Sequence, residues 1–311
     1  MSIDAVLAPS GQGAVDVRGA ERGSFLNAVI SQEIEDLAVG QVAGALFLDP
    51  HGVPLALFDV AVLADRFVLL TPTQELADEL ARTLHSRTFL SDATFTLLDI
   101  EGWALRGERG REVAVAAGLD LHSGTVVEIE GALLIGRDSG VDLVGPSQAV
   151  QPFAQRLLAA GAEAGEPAAL ENWRIAHGLP AWAREVRAPH LPEEMGLLPT
   201  HVHLKKGCYP GQEAVARMWM LGRPRRRLAR VLLAGGADAG WSIGTGKRGV
   251  EVTSATTYAG ERVGLAYVPA EARPGDRYGD DEAAVVVRGL VAEGLAIPGH
   301  DPSVVRRRDR R

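Results

Sequence analysis

Lys205-Lys206-Gly207-Cys208-Tyr209-Pro210-Gly211-Gln212-Glu213 marks the place where the pattern of this 311-residue chain changes character. Two glycines and a proline interrupt any regular period, and Gln212 then opens a short helix predicted over 212–220. Before it, 184–211 is rich in Pro, His and Lys, with Pro189, Pro192 and Pro199, and reads as extended, irregular chain. Beyond Gly222-Arg223-Pro224 come short apolar runs between glycine turns, at 228–233, 249–253, 263–268 and 283–288. That spacing predicts a small C-terminal β-barrel or sandwich over 223–297. The end, 298–311, carries five arginines and is expected to be a basic, disordered tail.

Upstream the pattern is mixed. Val15 and Val17 alternate into a strand, and Ser24 is placed to cap a helix bearing Phe25, Leu26, Val29 and Ile30 on one side. A strand over 44–48 ends at the turn signal Asp49-Pro50-His51-Gly52, and 55–60 with 66–70 read as a hairpin. Thr71-Pro72-Thr73-Gln74-Glu75 starts a helix with Thr71 as cap and Pro72 next, running to His85. Strands follow at 93–98, 102–106, 126–129, 133–135 and 141–144, with helices over 110–117, 148–160 and 167–177. Strands with isolated helices and no strict β-α-β alternation predict an α+β fold rather than a doubly wound parallel sheet.

Composition excludes whole classes. Apolar residues at 46% and charged residues at 23% are ordinary globular values, so collagen, bulk disorder and coiled coil are out. Runs such as Val60-Ala61-Val62-Leu63-Ala64 fall far short of the roughly 20 residues a bilayer crossing needs. Met1-Ser2-Ile3-Asp4 lacks the basic start and apolar block of a signal peptide, and the single Cys208 forms no internal disulfide. A cytoplasmic, membrane-free protein is the expectation. The net charge of −8 weighs against global nucleic-acid binding.

Two motifs fail their context. Gly244-Thr245-Gly246-Lys247-Arg248-Gly249 has dinucleotide-loop spacing, but Val250-Glu251-Val252-Thr253 follows as a strand where a helix is required. His201 and His203 would share one side of an extended strand with Cys208 nearby. No further ligand has convincing spacing and Lys205 and Lys206 would repel a cation, so no metal site is expected.

The chemistry points to Cys208. Lys205 and Lys206 precede it and a helix start follows, and both favour thiolate over thiol. Gly207 and Gly211 allow tight backbone turns and close ligand approach, while Gln212 and Glu213 bring polar groups to the helix start. A functional thiol is the favoured reading over a buried structural cysteine. Arg217, Arg223, Arg225, Arg226, Arg227 and Arg230 suit either an anionic ligand or RNA phosphates, or form a solvated domain junction.

Lys206-Gly207-Cys208-Tyr209-Pro210-Gly211-Gln212-Glu213-Ala214-Val215-Ala216-Arg217 resembles the K-G-C-Y-x-G-Q-E-x-x-x-R signature of the YgfZ family, folate-binding proteins related to the glycine cleavage T-protein. Arg174-Ile175-Ala176-x-Gly178, Pro192-Glu193, Val252-Thr253-Ser254 and Gly19 with Phe25-Leu26-Asn27 resemble further family elements in order, so the likeness spans about residues 13–295. It implies a three-lobed ring of two interleaved α+β, ferredoxin-like lobes and a C-terminal β-barrel around tetrahydrofolate. The first lobe would take 1–49 and 146–222, the second 50–145.

The resemblance further implies a role in iron–sulfur protein maturation. Cys208 would be the acting thiolate and Lys206 would lower its pKa. Arg174, Trp182, Gly207, Tyr209, Gly211, Gln212, Glu213 and Arg217 would serve the folate site, with Arg217 pairing an anion. Trp182 either stacks on the heterocycle or packs as a core residue. The T-protein's catalytic aspartate falls at Ala56 and Leu57 and its pterin-binding glutamate at Ala176, which removes the acid–base group that aminomethyl transfer needs. One cysteine does not supply the four thiolates of a stored cluster. The expected function is a tetrahydrofolate-binding accessory to assembly or repair of iron–sulfur clusters in client proteins. The alternatives are a folate-dependent aminomethyl or methyl transferase acting on a small amine, and a non-enzymatic RNA- or partner-binding module, with RNA the weaker partner.

Overall fold

The computed structural model describes residues 3–221 and 224–292. Two sheets form the first part. One holds Val42–Leu48, Pro54–Val62, Phe67–Thr71, Gly13–Arg18 and Thr94–Leu98, in that spatial order and antiparallel throughout. The other orders Glu163–Ala164, Val6–Pro9, Glu101–Arg106, Gly140–Gly145, Ala132–Arg137 and Val126–Ile129, antiparallel except where the first two pair in parallel. The strands therefore group differently from lobes divided at 49/50 and 145/146. The hairpin Val42–Leu48/Pro54–Val62 pairs across the first division, because the tight Asp49–Gly52 turn leaves the two strands adjacent.

Alternation along the strands gives each sheet two apolar faces. Ala14, Ala61, Val68 and Leu70 meet Val126, Leu133, Ile135 and Val144, which packs the sheets face to face. The outer face of the first sheet carries Val15, Phe58 and Leu69 and is covered by the Gln74–His85 helix through Leu76, Leu80 and Leu84. The outer face of the second is covered by the Gly110–Ala116 and Ser147–Ala159 helices through Val113, Val150 and Leu157. The layers run helix, sheet, sheet, helix.

The C-terminal part is an antiparallel sheet of six strands wrapped, barrel-like and nearly closed, around Val231, Val252, Ala266 and Val285. The α+β expectation holds. The tail at 298–311 lies outside the described residues. Among the described residues no helix is long and apolar enough to cross a membrane.

Three local expectations need correction. Ser24 lies inside the Arg22–Val29 helix and donates to the Glu21 carbonyl, so it is not the cap. Thr71 ends a strand; the helix cap is Thr73, whose Oγ1 accepts from the Leu76 N–H at 3.2 Å. His201 closes a short helical turn, Leu198–His201, where an extended strand was expected. The glycine run at 244–249 ends in a single 3-10 turn before the strand Val250–Tyr258, as its context predicts.

Candidate functional site

A cavity of about 660 Å3 opens between the two sheets of the first part, the Pro167–His177 helix and the segment 179–184. Trp182 and Arg174 line it. Lys206, Gly207, Cys208, Tyr209, Gly211, Gln212, Glu213 and Arg217 do not. The residues expected to form one site thus lie in two places.

The cavity wall is built from the end of the Pro167–His177 helix. Pro167 starts it at a position where its missing N–H costs nothing, and Gly178 ends it in the left-handed conformation at φ 79°. Arg174, one turn earlier, spends all five N–H groups. Nε and Nη2 bind the two oxygens of Glu171 at 2.8 and 2.6 Å. Nη1 donates to the Leu179 carbonyl and to Glu185 Oε2, and Nη2 also donates to Ser254 Oγ. Glu185 is fully buried and takes the Ser254 hydroxyl at 2.6 Å and the Ala181 N–H at 2.9 Å. The R-I-A-x-G and V-T-S elements therefore meet in space. They lock the cavity wall to the barrel, and Arg174 has no donor left for a ligand.

On this lock rides a strained turn. Ala183 adopts φ 63°, a left-handed value that costs a non-glycine residue about 1 kcal/mol or more, and it separates Trp182 from Arg184. Both flanking side chains line the cavity. Trp182 packs against the apolar clusters of the first sheet and of the barrel junction, which is the packing role foreseen for it, and it also lines the cavity. Arg184 stays half exposed, with one ion-pair contact to Glu171 at 3.8 Å.

The opposite wall shows what the sequence reading missed. Along Pro54–Val62 the inward positions Ala56, Phe58 and Val60 are buried in the core, so Leu57 and Asp59 share the other face and line the cavity. Asp59 Oδ2 accepts from Arg137 Nη2 at 2.7 Å, and Arg137 Nε donates to Asp142 at 2.7 Å. Arg106, another cavity residue, binds the second oxygen of Asp142. Burial would raise the Asp142 carboxyl, but Arg106 and Arg137 outweigh it and hold it below the ordinary carboxylate range. His201 also faces the cavity. Its Nδ1 lies 2.7 Å from Thr200 Oγ1, and burial, against the pull of Asp59, keeps the imidazole neutral near pH 7. The signal available in the sequence was the alternation from Leu57 to Asp59.

The cysteine segment lies elsewhere. Lys206, 7% exposed, sends Nζ to Asn27 Oδ1, the Ile30 carbonyl and the Gln32 carbonyl at 3.1, 3.0 and 2.6 Å, 5.5 Å above the Tyr209 ring. Burial draws its pKa down to about 8, with Glu33 and Glu35 opposing. Gly211 sits at φ 81° against the Asp49–Gly52 turn, where a Cβ would lie 2.5 Å from the Asp49 carbonyl. Gly207 has open space around it and needs no glycine for backbone reasons. Tyr209 is buried, and burial pushes its phenol up to about 12. Gln212 Nε2 donates to the Lys206 carbonyl, while Glu213 and Arg217 form an exposed i,i+4 pair on the Gln212–Leu221 helix. Cys208 is exposed at the tip.

The arginine cluster is largely committed as well. Arg226 faces Glu251 and Arg227 pairs with Glu193. Arg223 lies outside the described residues. Among the described residues no three His, Cys, Asp or Glu side chains gather to hold a metal.

Helix-flanked paired sheets followed by a barrel-like sheet define the fold of the glycine cleavage aminomethyltransferases. The glycine cleavage system aminomethyltransferase T from Bartonella henselae superposes with a TM-score of 0.80 over 93% of this chain and 86% of that one, at 20% identity. By sequence the chain is similar to "Putative transferase At1g60990, chloroplastic" from Arabidopsis thaliana, 26% identical over 282 residues. That match covers 84% of this chain and 64% of the relative, so the chain spans less than two thirds of the relative's length. No family model matches.

Proposed function

We propose that the chain is a tetrahydrofolate-binding accessory protein that supports assembly or repair of iron–sulfur clusters in client proteins, with Cys208 as its working thiol. One observation carries the reading: a ligand-sized cavity and an exposed cysteine on a clamped loop occur on one scaffold but at separate sites.

The cavity residues fit a reduced folate. About 660 Å3 falls within the roughly 300–1,000 Å3 of small-molecule sites. Trp182 offers a flat face for a heterocycle, and the half-exposed guanidinium of Arg184 suits a carboxylate tail. Tetrahydrofolate, when bound, supplies a carrier for a one-carbon unit. The chain's own residues bind and orient it: Trp182 by stacking, Leu57 and Leu179 by excluding water, Arg184 by pairing with the anion. Arg174 fixes the wall on which Trp182 stands. On the other site Lys206 and Gly211 fix the loop, and Cys208 faces the client, whose cluster is the cargo.

Titration with tetrahydrofolate, followed by tryptophan quenching, tests the pairing of the two sites. Cys208→Ala is expected to leave binding unchanged while abolishing client-enzyme rescue in a deletion strain. Trp182→Ala is expected to weaken binding by at least about tenfold, the loss of one good aromatic contact. Full rescue by Cys208→Ala removes the thiol's role.

Asp59 favours a second reading, folate-dependent transfer from a small amine, because it restores a carboxylate to the cavity. Incubation with an aminomethyl donor and tetrahydrofolate would then form methylenetetrahydrofolate; no turnover removes that reading.

A further inference from the structure

Asp59 lines the cavity and has one carboxylate oxygen committed. Oδ2 is held by Arg137, whereas no hydrogen bond to Oδ1 is found among the described residues. The other carboxylate on the cavity, Glu171, has both oxygens on Arg174. Asp59 cannot swing freely, because Arg137 is tied in turn to Asp142, which is fully buried. The result is an alternating series, Arg106, Asp142, Arg137, Asp59, whose charges cancel and whose two ends face the cavity. At the cationic end Arg106 binds Asp142 through Nη2 and the Leu105 and Val141 carbonyls through Nη1, which leaves Nε–H and one Nη2–H uncommitted.

A preorganised acceptor and a preorganised donor on one cavity match a ring edge that carries N–H donors and a carbonyl. The 2-amino-4-oxopyrimidine edge of a pterin has that chemistry. We infer that Asp59 accepts the N–H edge of the bound heterocycle, with Arg106 facing its carbonyl, so that this wall selects the pterin ring. The inference rests on the folate reading above and adds the group that recognises it. It also places a carboxylate two residues beyond Leu57, where the resemblance to the T-protein leaves an apolar side chain.

Asp59→Asn tests it. The amide oxygen still accepts from Arg137, but the charge is gone and an N–H₂ can turn toward the ligand's own donors. Tetrahydrofolate binding, read by tryptophan quenching, is expected to fall at least about 30-fold, the scale of one charge-assisted hydrogen bond replaced by a mismatched donor. A 2-desamino analogue is the second probe. The wild type is expected to bind it at least about tenfold more weakly than tetrahydrofolate, and Asp59→Asn to bind the two within about threefold. Thermal melting checks that the variant folds, and the wild-type comparison of the two ligands stands even where it does not. If the wild type binds tetrahydrofolate and Asp59→Asn binds it equally well, the inference is overturned while the folate reading survives. Equal binding of both ligands by the wild type also overturns it. No binding of either by the wild type defeats both.

Discussion

Replacing Lys206 with Met separates two roles for the residue beside the thiol. Its ammonium is surrounded by three oxygens, from Asn27, Ile30 and Gln32, at 2.6–3.1 Å, and so clamps the cysteine loop onto the end of the Arg22–Val29 helix and the chain that follows it. Methionine fills much of the volume but leaves two backbone carbonyls and an amide oxygen facing hydrocarbon. A hydrogen bond from a charged donor contributes about 1.5–3 kcal/mol, and the three are not additive because they share one donor group. The expected loss is about 3–5 kcal/mol, read by urea unfolding. The pH dependence has a definite sign. The folded lysine titrates at about 8 and the unfolded one near 10.5, so between those values the unfolded state holds more protons. Wild-type stability relative to Lys206→Met should therefore climb as pH rises through that window, with the cost of burying the charge fully present below it. A loss under about 1 kcal/mol at pH 7 would refute the clamp and return Lys206 to the thiol.

Gly211→Ala meets both a left-handed backbone and the Asp49 carbonyl at 2.5 Å, so about 2–4 kcal/mol is expected, with faster hydrogen exchange across 203–211 as the local signature. Arg174→Lys keeps the charge but cannot serve Glu171, Glu185, Leu179 and Ser254 together. It should lower stability by about 3 kcal/mol and weaken folate binding by loosening Trp182, whereas unchanged melting would show that the lock is dispensable.

Local chemistry was legible in the sequence where one segment decides its own structure. Pro167, Gly178 and the apolar positions between them fix a helix whose observed span, Pro167–His177, equals the expected one. Asp49-Pro50-His51-Gly52 likewise forms its turn, with Asp49 Oδ1 accepting from the His51 and Val53 N–H groups. The strand Val6–Pro9 escaped because four residues ending in proline carry no alternation, and its pairing depends on Glu101–Arg106, about a hundred residues away. Thr71 and Thr73 compete for one cap, and Thr71 loses because sheet pairing with Gly13 holds it extended. Trp182 and Arg174 both line the cavity, but Arg174 serves as a lock and not as a free donor, because of partners at 171, 185 and 254 that no local pattern reveals.

The hairpin Val42–Leu48/Pro54–Val62 connects the two sites and sets their separation. Its turn receives Gly211, and further along the same strand Leu57 and Asp59 face the cavity. From Gly52 to Asp59 an extended strand covers about 23 Å, at roughly 3.3 Å per residue. The three residues from Gly211 back to Cys208 span at most about 11 Å. A thiol anchored at the turn therefore does not reach a ring held at Asp59 while the loop stays clamped. This favours Cys208 acting on a client's cargo over Cys208 handling a one-carbon unit on the folate. Lys206→Met supplies the contrast: loosening the clamp is expected to leave tetrahydrofolate affinity within about twofold, because none of the clamp's oxygens touches the cavity wall. A tenfold change in affinity would mean that the hairpin couples the two sites.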